Sequence, residues 1–233
     1  MRSSVVARVV LGLVVSVMLP AGAAGAGAKA HVITFGKWTS AQWLPATSTE
    51  ADKPLNIKVR PLIVDGRIKE YVLGVPHEVT ERLFVVRRAF RVNDSLPDES
   101  TSRWQWQRGG WLLVDRMTGR ISAVNLPEYD AFYSAASWYR DYAAYCGVSA
   151  DGRKIFAIVA QLSRRKAVLK KALSSDAVPD EAAPDSACPA PVWQRNPARV
   201  SFERAGSAKE TYAVRGHVVD LVNDTEEEEE EAK

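Results

Sequence analysis

From His31 onward, apolar and polar positions alternate in short runs, which is the period of strands. His31 to Trp38 sets Val32, Thr34 and Gly36 against Ile33, Phe35 and Lys37, and predicts a short strand. Residues 41–54 carry Ala, Ser, Thr and Pro and predict a loop. Asn56 to Val64 and Arg67 to Leu73 flank Asp65-Gly66, a strong hairpin signal because both turn positions tolerate positive φ. Pro61 marks the first of these strands as an edge or as bulged. Leu83 to Val92 predicts a further strand. In Arg103-Trp104-Gln105-Trp106-Gln107-Arg108 the indoles alternate with amides, so both indoles fall on one face of a strand. Gly109-Gly110 is expected to turn the chain into Trp111 to Asp115, and Met117-Thr118-Gly119 to turn it again into Arg120 to Leu126.

The second half continues the pattern. Residues 127–141 fit either an irregular helix or a loop over the core. Tyr142 to Val148 and Arg153 to Leu162 frame Ser149-Ala150-Asp151-Gly152, a hairpin connection. Val168, Leu169 and Leu173 recur at helical spacing among Arg and Lys, and predict one short helix over 163–173. Residues 174–191 shift to Ser, Asp, Ala and Pro and read as a long surface loop. Val200 to Arg204, Glu210 to Val214 and His217 to Val222 read as closing strands. The expected fold class is mainly β: antiparallel sheets, sandwich- or barrel-like and hairpin-rich, with that one helix.

The first thirty residues follow a different rule. Arg2 and Arg8 sit ahead of an apolar run from Val9 to Leu19, Pro20 then breaks the helix, and Ala and Gly lead to Lys29. This is the order of a secretory signal peptide, and the run is shorter than the roughly 20 residues a membrane span needs. Small-residue sites after Ala23, Ala26, Ala28 or Ala30 suit cleavage, the later ones best. The expected organisation is a signal peptide at 1–30, a single β-rich domain at 31–223 and a disordered acidic tail at 224–233. No later segment is long and apolar enough to predict a membrane span, so a secreted or periplasmic protein is expected.

Export changes the reading of charge and cysteine. The formal charge of +3 belongs to the leader, and residues 31–233 balance at zero. Seven acids sit in the last ten residues, which leaves residues 31–223 with a charge of +6. Near-neutral charge and export together disfavour nucleic acid as a partner. The two cysteines, Cys146 and Cys188, are expected to form a disulfide, and the chain-entropy argument assigns about 4 kcal/mol to a loop of that length.

Chemistry-bearing motifs are sparse. Trp104, Trp106 and Trp111 either form a platform that stacks on sugar rings or grips peptides, with Arg103 and Arg108 adding polar contacts, or they fill the core under a sheet. Arg87, Arg88 and Arg91 read as an exposed strand face. The histidines are His31, His77 and His217. Cleavage after Ala30 would free the amine of His31, and that amine, its imidazole and a second histidine, His77 or His217, make a three-nitrogen set that suits copper, an arrangement that resembles the histidine brace of copper monooxygenases. His77-Glu78-Val79-Thr80-Glu81 lacks the second histidine of a zinc-protease helix, and Ser163-Arg164-Arg165-Lys166 lacks the K-T-G partner of a serine–lysine pair.

Two segments, Trp111 to Ile121 and Val148 to Ile158, resemble strand-turn-strand units of β-propeller blades, of quinoprotein type and of TolB-like or lactonase-like type. A propeller needs at least about four blades, and the chain shows no third or fourth copy, so both read as ordinary hairpins. The expected function is that of an exported, non-catalytic binding or envelope-structural protein whose partner is a protein, peptide or glycan of the cell envelope. The alternative is an exported enzyme, either a hydrolase with dispersed catalytic residues or a copper protein using His31.

Overall fold

The computed structural model describes residues 30–43, 55–93, 95, 100–173, 188–203, 208–216 and 218–222. The signal-peptide reading up to Lys29, residues 174–187 of the Pro/Ala/Asp-rich loop and the acidic tail lie outside the described residues.

The described residues form three antiparallel sheets. The first holds β1 (Ile33–Phe35), β2 (Thr39–Trp43), β3 (Leu55–Val64), β4 (Arg67–Glu78), β5 (Leu83–Asn93), β6 (Trp104–Asp115) and β7 (Ile121–Ala123). Strands β3 to β7 pair in chain order, and β1 and β2 both pair with β3. The second sheet holds β8 (Ser137–Tyr139), β9 (Tyr142–Val148), β10 (Ile155–Gln161) and β11 (Leu169–Ala172). The third holds β12 (Val192–Gln194), β13 (Arg199–Phe202), β14 (Glu210–Arg215) and β15 (Val218–Leu221). No helix occurs among the described residues, so none there is long and apolar enough to cross a membrane.

The mainly antiparallel β class agrees with the alternation in the sequence, and the Asp65-Gly66 and Ser149–Gly152 hairpins form where that pattern puts them. The two blade-like segments are the β6–β7 and β9–β10 hairpins, in different sheets. Among the described residues, no sheet closes into a barrel.

Strands β9 and β10 read as near-continuous apolar runs because both faces of the second sheet are covered. Successive residues point to opposite sides. Tyr142, Ala144 and Cys146 of β9, with Ala157 and Val159 of β10, pack against Val200, Phe202, Tyr212 and Val214 of the third sheet, which makes a sandwich. Ala143, Tyr145, Ile158 and Ala160 face the other way and are covered by Leu126, Tyr129, Ala136 and Trp138. Cys146 and Cys188 are joined by the expected disulfide, with their Cα atoms 6.2 Å apart, and both belong to the sandwich core.

The expected helix over 163–173 is absent. Residues 162–168 make turns, and β11 pairs with β10, Leu169 opposite Val159 and Ala172 opposite Phe156. The edge of β10 offers a row of unpaired backbone groups, and pairing with it satisfies the donors of this segment, Val168 N–H to Val159 at 2.7 Å and Leu173 N–H to Ile155 at 2.9 Å. Three periodic apolar residues cannot by themselves separate the two structures, and tertiary pairing decides.

Pro61 occupies a gap in the first sheet. On one side of β3, β1 pairs with Leu62 to Val64 and β2 with Leu55 to Val59, so no partner strand there needs the N–H that proline lacks. A register irregularity follows at Leu62/Ile63. The loop reading of 41–54 is corrected at its start, since Thr39–Trp43 pairs with β3 and buries Trp43 completely.

Candidate functional site

The first sheet curls until its outer strand β2 reaches β6. Trp43 Nε1 donates to Gln107 Oε1 at 3.1 Å, and the Arg108 guanidinium lies 3.4 Å from the centre of the Trp43 ring. A trough of about 820 Å3 runs between these strands, within the size range of small-ligand sites. Trp38, Trp43 and Trp111 supply its aromatic lining, and Lys58, Arg87 and Arg108 its charge. Ala136, from the segment that leads into the second sheet, also lines it.

A β-bulge aims Trp111 into this space. On β5, Arg87 and Ala89 are two residues apart, whereas their partners on β6, Trp111 and Arg108, are three apart. Gly109-Gly110 therefore does not turn the chain. It inserts one extra residue into a continuous strand, which keeps Trp111 on the face that carries Arg108. A side chain at Gly109 would crowd Arg88, with Cβ 3.0 Å from Arg88 Cβ and 3.2 Å from its carbonyl oxygen. Trp111 is then fixed from behind: Nε1 donates to Tyr129 Oη at 3.1 Å, and the ring meets Trp138 edge-on at 5.2 Å. Burial pushes the Tyr129 hydroxyl above its ordinary pKa, so it stays neutral and accepts this bond.

The structure divides the residues singled out by sequence. Trp111 and Arg108 line the trough. Trp104 and Trp106 lie further along the strand, beside Arg91 at 5.7 and 5.5 Å. Trp106 packs edge-on against Tyr71 at 5.1 Å, while Trp104 is 57% exposed. Arg103 is exposed, with its backbone N–H donating to Asn93 Oδ1 at 3.0 Å. Of the three neighbouring arginines, Arg88 is exposed and pairs with Glu70 at 2.9 Å, whereas Arg87 is partly buried and lines the trough. Adjacent residues on a strand must face opposite ways, and that signal was present in the sequence.

The histidines are engaged in separate places. His31 Nδ1 lies 2.6 Å from Asp65 Oδ2, which helps hold the Asp65 carboxyl below its ordinary pKa. His77 Nε2 donates to the Arg140 carbonyl at 2.8 Å, and its ring stacks on Trp138 at 6.1 Å. His217 lies outside the described residues. Among the described residues, no group of three or more His, Cys, Asp or Glu gathers as a metal site would. Ser163 to Lys166 lies in turns rather than on a helix, with Ser163 beside a smaller pocket of about 260 Å3.

Sequence reasoning missed Trp38, Trp43 and Lys58, and read Arg87 as part of an exposed strand face. Trp38 forms a rim and is 44% exposed, and Arg60 lies between it and Phe35, at 4.3 and 4.1 Å from the two rings. Burial in this aromatic sandwich lowers the pKa of Arg60, yet an arginine this basic stays charged. No protein-family model matches the chain, nor does any curated protein or solved structure.

Proposed function

We propose that the chain is an exported, non-catalytic binding protein of the cell envelope, and that the trough between β2 and β6 takes a glycan. The observation that carries this reading is a trough of about 820 Å3 that brings three indoles and three cations together. The indoles of Trp38 and Trp111 are the ones open to the apolar faces of sugar rings, while buried Trp43 supports Arg108, and fixed polar groups beside them orient the ligand. The lining holds no described carboxylate, imidazole, hydroxyl or thiol. That composition suits holding a ligand better than transforming one. A leader-like N-terminus and a disulfide that closes residues 146–188 support the export part of the reading.

Isothermal titration against a panel of envelope oligosaccharides tests it. Trp111→Ala is expected to weaken binding at least about tenfold, the effect of losing one stacked ring. Trp104→Ala, outside the trough, is expected to leave binding unchanged. Equal affinities for wild type and Trp111→Ala would remove the trough as the binding site.

A further inference from the structure

We infer that the trough seats the carboxylate of an acidic sugar, with Arg87 as the residue that receives it; this rests on the glycan reading above. Arg87 is partly buried, and two neutral acceptors fix its guanidinium. Nη2 donates to the Ala131 carbonyl at 2.6 Å and Nε is 3.4 Å from the Gly109 carbonyl. Carbonyl oxygens hold the group in place but cancel none of its charge. A guanidinium does not shed its proton at any ordinary pH, so a partly desolvated one favours an anion beside it. Among the described residues, no Asp or Glu pairs with Arg87 or with Lys58. The next residue shows the contrast, since Arg88 on the opposite face has Glu70 as its partner.

The rest of the lining agrees. Lys58 and Arg108 add positive charge to the same space, and no described lining residue is acidic. With Nε and one Nη2 hydrogen committed, the Nη1 hydrogens of Arg87 are left to donate, which suits a carboxylate oxygen. Trp38 and Trp111 present indole surfaces to the ring that bears that carboxylate. A hexuronic acid joins a flat apolar ring face to a carboxylate in one residue, and so meets both walls at once.

The experiment titrates a hexuronic-acid trisaccharide and its carboxyl-reduced, neutral counterpart into the protein at low ionic strength. Wild type is expected to bind the acidic form at least about tenfold more tightly, with the preference shrinking as salt is added. Arg87→Gln is expected to abolish the preference by weakening the acidic form at least about tenfold relative to the neutral one. Arg87→Lys is expected to retain part of it. Equal binding of the two sugars by wild type overturns the carboxylate seat alone, and so does a preference that survives Arg87→Gln. Failure of wild type to bind either sugar overturns the seat together with the glycan reading. Tighter binding of a hexaglutamate peptide than of the acidic trisaccharide also overturns the seat, by showing that an acidic peptide is the better occupant. If Arg87→Gln does not fold, the acid-to-neutral ratio of wild type still decides the question.

Discussion

The Arg108 guanidinium stacks on the face of Trp43, 3.4 Å from the ring centre. This contact joins an outer strand of the first sheet to a strand it does not pair with, and turns a curled sheet into a trough with two walls. Trp43 is fully buried. Trp43→Ala is therefore expected to cost about 3–5 kcal/mol in urea unfolding, as for other large-to-small changes in a core. It is also expected to weaken glycan binding. A loss below about 1 kcal/mol would mean that β2 is not held in this way.

Gly36 sits where β1 hands over to β2. Its N–H donates to the Pro61 carbonyl at 2.9 Å, and an added Cβ would lie 2.9 Å from Pro61 Cδ and closer still to Cγ. The proline ring cannot rotate away, because it is tied to its own backbone. Gly36→Ala should therefore destabilise the protein by about 1–3 kcal/mol. A thermal melt that matches wild type would contradict the close approach.

The disulfide lies in the core between the second and third sheets. The double variant Cys146→Ala/Cys188→Ala is expected to lose about 2–4 kcal/mol, part through the freed loop and part through lost packing. Titration of the unreduced, denatured protein is expected to find no thiol. Two titratable thiols would contradict the bridge.

Much of the fold was legible because its signals are local. Asp65-Gly66 and Ser149 to Gly152 announce hairpins through turn chemistry, and β9 announces its double burial through an unbroken apolar run. The failures share one cause. Val168 to Leu173 matches helical spacing, and only the free edge of β10 makes it a strand. Gly109-Gly110 has turn composition, and only the registered partner β5 makes it a bulge. The candidate site was half legible. Trp111 and Arg108 stood out as an aromatic and a cation close in sequence. Trp43 lay in a segment of loop composition, and Arg87 was hidden among arginines whose alternation assigns it to the inner face.

Asp115 anchors the β6–β7 turn. Its carboxylate accepts from Arg82 Nε at 2.8 Å, from Arg82 Nη2, and from the Met117 N–H at 2.9 Å. The Arg82 hydrogen bonds hold its pKa well below the ordinary aspartate range. A carboxyl depressed in the folded state stabilises the fold above its unfolded pKa, and loses that contribution as pH falls below it toward the folded value. Asp115→Asn should therefore melt at a lower temperature than wild type at pH 6, with the gap narrowing below about pH 4. A gap that stays constant down to about pH 2 would contradict the assignment.

Ligand is expected to enter the trough and not the far end of the same strand face, where Trp104 and Trp106 lie. The indole N–H resonances of the seven tryptophans test it most directly, in a 15N-labelled sample titrated with the hexuronic-acid trisaccharide. Trp38 and Trp111, which line the trough, are expected to shift in step with binding, while Trp104 stays in place. Shifts at Trp104 and Trp106 with Trp38 and Trp111 unmoved would contradict it.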